Sequence, residues 1–105
     1  MDNKFSLDLF TQIPLIGIIR GFDQNQTTHI LEQFLSAGLT TIEITLNTPN
    51  ALEIIKKSSE NFGGKLNVGA GTVCTMDDLK KALDAGAQFI VTPILYLEIY
   101  FLIFV

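Results

Sequence analysis

The chain has 105 residues, of which 48% are hydrophobic and 17% charged, and its formal net charge is −4. That describes one domain with enough apolar side chains for a modest core, which excludes a disordered chain. The acidic balance argues against a nucleic-acid backbone as partner, since such a partner selects a basic stripe.

Residues 4–12 read as a short helical lead-in, with Phe5, Leu7, Leu9 and Phe10 on its apolar side. Ile13-Pro14-Leu15-Ile16-Gly17-Ile18-Ile19 is a nearly continuous apolar run, the pattern of a strand buried on both faces, and it ends at Arg20-Gly21. From Asn25 to Ala37 the residues Ile30, Leu31, Phe34 and Leu35 recur at helical spacing, and Gly38 stops the helix. In Thr41-Ile42-Glu43-Ile44-Thr45-Leu46-Asn47 apolar and polar residues alternate with the period of a strand. Thr48 then offers a capping oxygen and Pro49 a first helical position, predicting a helix to about Asn61 with Ala51, Ile55 and Phe62 inward. Leu66 to Val73 reads as a third strand. Thr75-x-x-Asp78 is a capping box for a helix carrying Met76, Leu79 and Leu83, and Phe89-Ile90-Val91-Thr92-Pro93 reads as a fourth, fully apolar strand.

The helix-ending glycines at 38, 63 and 86 are 25 and 23 residues apart. This β-α rhythm with short loops implies an α/β fold with a parallel sheet. Four such beginnings fit the first half of a (β/α)8 TIM barrel or a small open sheet, and both put functional groups at the C-terminal ends of strands. Arg20, Glu43, Asn47, Thr72 and Thr92-Pro93 lie at or near such ends.

Glu43 has two readings: a general acid/base whose pKa is tuned by burial, or a carboxylate paired with Arg20 or exposed on an edge. Arg20 is either a clamp for a carboxylate or phosphate or one half of a surface ion pair. Gly69-Ala70-Gly71-Thr72 allows close backbone approach of a ligand, or simply tight strand-to-helix packing. It is no dinucleotide or P-loop fingerprint, because the third glycine and the Gly-Lys-Ser/Thr ending are missing. Cys74 and His29 are the only soft ligands and have no metal-binding spacing, so neither a metal nor a cofactor is expected. A single cysteine and an N-terminus without the order of a signal peptide lead to the expectation of a cytoplasmic location.

Four ordered motifs carry a family resemblance: Ile16-Gly17-Ile18-Ile19-Arg20-Gly21, Ile42 to Pro49, Gly69-Ala70-Gly71-Thr72-Val73, and Ala85 to Pro93. Over about residues 10–93 the chain resembles the 2-keto-3-deoxy-6-phosphogluconate and 6-phosphogalactonate aldolases, some of which also act on 4-hydroxy-2-oxoglutarate. The resemblance implies a cofactor-free class I aldolase on a (β/α)8 barrel. Such an enzyme joins a strand-borne lysine to pyruvate as a Schiff base and cleaves a 2-keto-3-deoxy-6-phospho sugar acid to pyruvate and glyceraldehyde 3-phosphate. It further implies that Glu43 is the general acid/base, that Arg20 and Thr72 contact the substrate, and that Pro93 shapes the pocket. Asn47, where gluconate-type members carry arginine, points toward the galactonate-type branch. Intact members of the family are expected to form trimers and to bind small keto acids, not nucleic acid or membrane.

The chain also departs from the family. Lys4, Lys56, Lys57, Lys65, Lys80 and Lys81 map to the lead-in, helices or loops, so none stands in for the Schiff-base lysine, and the phosphate site is missing. Residues 1–93 therefore read as the N-terminal half of an aldolase-type barrel, inactive alone. Residues 94–105 carry one charge, Glu98, in twelve positions and read as an apolar tail foreign to the family, the product of a frameshift after Pro93. That tail is an aggregation hazard, and too short to span a membrane, which takes about 20 apolar residues. A non-catalytic half-barrel serving binding or assembly is the alternative.

Overall fold

A computed structural model describes residues 4–93; the tail at 94–105 and its reading as foreign sequence lie outside the described residues. The elements alternate: α1 (Leu7–Gln12), β1 (Gly17–Ile19), α2 (Gln24–Ser36), β2 (Thr41–Thr45), α3 (Ala51–Phe62), β3 (Asn67–Gly71) and α4 (Met76–Asp84). The three strands are parallel in the order β1-β2-β3.

Register sorts the strand residues onto two faces. Gly17, Ile42 and Val68 align, as do Ile19, Ile44 and Ala70, and this face packs with Leu31, Ile54, Ile55, Phe62 and Leu79 from the helices. Gly17 is required here because a β-carbon at that position would fall onto the Phe34 ring of α2. The other face carries Ile18, Glu43 and Gly69 in one row and Thr45 and Gly71 in the next. Both faces of β2 and β3 are buried, as a parallel sheet demands.

The N-terminal lead-in closes the strand-entry end. Asn67, fully buried, accepts from the Ser6 N–H at 2.7 Å and donates to the Ser6 carbonyl at 2.9 Å and to the Thr41 hydroxyl at 3.2 Å. The Thr40 hydroxyl donates to the Leu9 carbonyl, and Gln88 ties β3 to the lead-in by accepting from Val68 N–H and donating to the Lys4 carbonyl. Phe5 stacks edge-on against Phe89, with ring centroids 5.7 Å apart.

Several expectations change. The apolar run before Arg20 is not buried on both faces: β1 has only three residues, and Leu15, Ile16 and Ile18 are exposed. The reason is that β1 is the edge of the described sheet, with only β2 beside it. Leu7 faces solvent, because the six-residue α1 turns Leu9 and Phe10 inward instead. Leu83 is likewise exposed, and Ala82 takes the buried position on α4. The fourth strand is rudimentary and only partly buried. Residues 88–91 run beside β3 through Gln88 N–H to Val68 O (2.8 Å), Ala70 N–H to Phe89 O (3.0 Å) and Val91 N–H to Ala70 O (2.9 Å), with one bridge at Ile90.

Thr48 and Pro49 do not start α3. The helix begins at Ala51 with Asn50 as its N-cap in the left-handed region, φ 59°, making no side-chain cap bond. Thr75 does cap α4 by accepting from Asp78 N–H, but Asp78 returns its carboxylate to Cys74 N–H rather than to the cap residue. No helix among the described residues is long and apolar enough to cross a membrane.

Candidate active site

Glu43 sits in the middle of β2, and its carboxylate lies over Gly71 of the neighbouring strand. That space exists only because residue 71 lacks a side chain: a β-carbon there would stand 2.7 Å from Glu43 Cδ and collide with its Oε2. Gly69 does the same in the preceding row, where the Phe89 ring occupies the place of a β-carbon. The two glycines thus clear the inner face of β3 for a carboxylate and an aromatic ring. Only 6% of Glu43 is exposed. Burial holds its carboxyl above the ordinary glutamate value, and the Arg20 charge pulls it some of the way back.

Arg20 follows β1 directly and donates from Nη2 to the Thr72 hydroxyl at 3.4 Å. Thr72 follows β3 with φ at +55°, a conformation that costs a β-branched residue about 1–3 kcal/mol. The strain is accepted where the chain turns out of β3 and aims this hydroxyl at the exit of β1. Among the described residues Arg20 makes no ion pair and no hydrogen bond to Glu43. It bridges to Thr72 while its charge acts on the buried carboxylate.

The structure brings Glu43, Arg20 and Thr72 together at the strand exits. Asn47 is exposed in the turn after β2, and Pro93 is exposed beyond the fourth parallel segment; neither takes part in the Arg20–Thr72 hydrogen bond. None of the six lysines is on β1, β2 or β3. Lys56 and Lys57 are on α3 and Lys80 and Lys81 on α4; Lys4 and Lys65 lie outside the helices and strands. Two cavities, of about 350 and 510 Å³, lie along the N-terminal end of α3, and neither is lined by Glu43, Arg20 or Thr72.

Two features escaped the sequence reading. Gly71 was legible as a place of close approach, but not that the approaching group is the chain's own glutamate. Thr45 and Thr48 form a buried hydroxyl pair 3.0 Å apart, and Thr48 also accepts from Gly21 N–H at 2.9 Å. Nothing local marks that contact, which spans 27 residues.

Gly71→Ala is expected to cost about 1–3 kcal/mol in denaturant unfolding, the usual toll of overpacking. In a Glu43→Ala background most of that cost disappears, because the colliding carboxylate is gone. Equal losses in both backgrounds would contradict this packing.

Parallel strands alternating with helices, with polar groups gathered at the strand exits, define the β/α class of enzyme folds that includes the TIM barrels. The family model of KDPG and KHG aldolases matches residues 7–102, and the chain belongs to that family, whose named members are aldolases, a class of lyase. Among the curated relatives, the 2-dehydro-3-deoxy-6-phosphogalactonate aldolase of Escherichia coli is 33% identical over 89 residues, covering 85% of this chain and 43% of that protein. The 2-dehydro-3-deoxy-phosphogluconate aldolase of Zymomonas mobilis is 43% identical over 80 residues, covering 76% of this chain and 38% of that protein. The solved KDPG aldolase of Legionella pneumophila, with pyruvate captured as a covalent carbinolamine, superimposes with a TM-score of 0.78 at 28% identity over 86% of this chain and 43% of that one. The chain thus spans about two fifths of the length of the curated relatives it matches, and its fold is a partial TIM barrel.

Proposed function

We propose that this chain carries the acid/base and anion-clamp half of a pyruvate-forming aldolase site. The substrate is a 2-keto-3-deoxy-6-phospho sugar acid, cleaved to pyruvate and glyceraldehyde 3-phosphate through a lysine Schiff base. One observation carries the reading: a buried glutamate with a raised pKa, seated in a glycine-made niche beside Arg20 at the exits of parallel strands. The carbinolamine on the Legionella relative supports Schiff-base chemistry for this chain's parent reaction.

The roles follow from charge and protonation. A glutamate that keeps its proton to higher pH than usual suits both directions of proton transfer near neutrality. Protonated, Glu43 gives its proton to the carbinolamine hydroxyl, which leaves as water as the imine forms. Ionised, it takes the proton of the substrate's C4 hydroxyl. The C3–C4 bond then breaks, its electron pair passes to the imine as an enamine, and the aldehyde departs. Glu43 returns the proton to C3 of the enamine, and hydrolysis of the resulting imine releases pyruvate. Arg20 and the Thr72 hydroxyl hold the carboxylate end of the substrate, Asn47 faces the remainder of the sugar acid in a galactonate-type arrangement, and Pro93 shapes the wall.

The amine is the missing group. With every lysine off the strands, the chain's own residues supply proton transfer and anion binding but no nucleophile. Incubated with pyruvate and borohydride, the 105-residue chain is expected to gain no pyruvate-derived mass. Stoichiometric labelling of one lysine, read by intact-mass spectrometry and peptide mapping, would contradict this division of labour.

A further inference from the structure

Arg20 has little of its own strand to hold it. β1 contributes three residues, and among the described residues only β2 lies beside it. Gly21, immediately after Arg20, takes φ +81°, so the chain turns sharply there and the arginine's direction depends on what fixes the turn. Among the described residues, the side chain that grips it is Thr48. Its hydroxyl accepts from Gly21 N–H at 2.9 Å and pairs with the Thr45 hydroxyl at 3.0 Å. Its own N–H donates to the Thr45 carbonyl at 3.0 Å, and its carbonyl accepts from Ala51 N–H at 3.1 Å. Thr45 is fully buried and Thr48 4% exposed, so the hydroxyl pair is dry, while Gly21 at the other end of the link is exposed. Thr45 stands two residues beyond Glu43 on the same face of β2.

We propose that Thr48 is a positioning residue: its hydroxyl locks the turn after β1 to the strand that bears Glu43, and so fixes the Arg20 guanidinium toward the Glu43–Thr72 site. This explains why the side chain that the sequence offers as a helix cap leaves α3 uncapped and reaches 27 residues back along the chain. A buried hydroxyl with two partners on different elements is a geometric constraint as much as a stabilising contact. The meaning of that constraint for substrate rests on the function proposed above, but the geometry is testable without substrate.

Arg20 provides the readout, because it is the charged group whose field reaches Glu43; β3 opposes the carboxylate with Gly69 and Gly71, and Thr45 and Thr72 are uncharged. The experiment is a carbon-13 carboxyl NMR titration of Glu43 in the 105-residue chain. Thr48→Val keeps the shape and removes the hydroxyl. It is expected to shift the Glu43 midpoint upward, in the direction of Arg20→Met, and to add nothing to that substitution in the double variant. Thr48→Ser restores the wild-type midpoint, and Thr48→Ala replaces Val if the latter does not fold. A wild-type midpoint in Thr48→Val while Arg20→Met shifts, or no shift in Arg20→Met itself, overturns the proposal. Neither result depends on turnover, so failure of the aldolase reading leaves a separate mark.

Discussion

Asn67→Ala is expected to destabilise the chain by about 2–4 kcal/mol and to release the N-terminal lead-in from the bottom of the sheet. Asn67 is fully buried at the start of β3 and satisfies both backbone groups of Ser6 as well as the Thr41 hydroxyl. Truncation leaves a methyl in place of an amide, so those groups lose their partners, at about 1–3 kcal/mol for each that stays dry. The chain lowers that cost by letting water in, which means undocking Ser6 and with it α1. No residue of α1 is itself buried, so little apolar area opposes the release. Urea unfolding reads the stability loss, and limited proteolysis reads early cleavage around Phe5 to Phe10. Thr40→Val, which deletes only one bond to Leu9, is expected to cost less than half as much. Equal effects of the two substitutions, or an unchanged cleavage pattern in Asn67→Ala, would contradict the role of Asn67 as the anchor.

The helices and the parallel order of the strands were legible because apolar spacing and the recurring glycines speak locally. Ile30, Leu31 and Phe34 mark α2, and Gly38, Gly63 and Gly86 close the helices whatever lies beyond them. The limits of β1 and of the fourth segment were not legible, since an apolar run reads the same whether its neighbour strand is present or not. Leu15, Ile16 and Ile18 are exposed for that reason. Thr48 shows a different failure. A threonine before proline satisfies the local rule for a helix cap, but a tertiary partner at Gly21 wins its hydroxyl from the helix.

The site divides along the same line. Glu43 was visible as a polar residue in a strand, and Arg20 and Thr72 as polar residues at strand ends. Their meeting depends on register: Gly71 beside Thr45 opens the niche, and the left-handed turn at Thr72 aims the hydroxyl at Arg20. Asn67 could have been noticed, because a lone polar residue between Leu66 and Val68 breaks an apolar run and must find partners when buried.

Under the proposed function, Glu43 transfers protons in an aldolase site whose nucleophile another strand supplies. A chimera tests it most directly: residues 7–93 of this chain joined to the remaining length of the Escherichia coli 2-dehydro-3-deoxy-6-phosphogalactonate aldolase, which is 33% identical to this chain over 89 residues. Borohydride trapping of pyruvate certifies that the joined barrel with Glu43 is assembled; for its Glu43→Gln form, whose imine formation is itself expected to slow, a circular dichroism spectrum and elution volume matching those of the Glu43 form do so. Aldol cleavage is then followed for the chimera and for its Glu43→Gln form, which keeps the shape and the hydrogen-bonding capacity but cannot exchange a proton. The chimera is expected to cleave substrate, and kcat to fall about 10²–10⁴-fold on the substitution, the range for loss of a general acid/base. An assembled Glu43→Gln chimera that cleaves substrate as fast as the Glu43 form would overturn the role of Glu43.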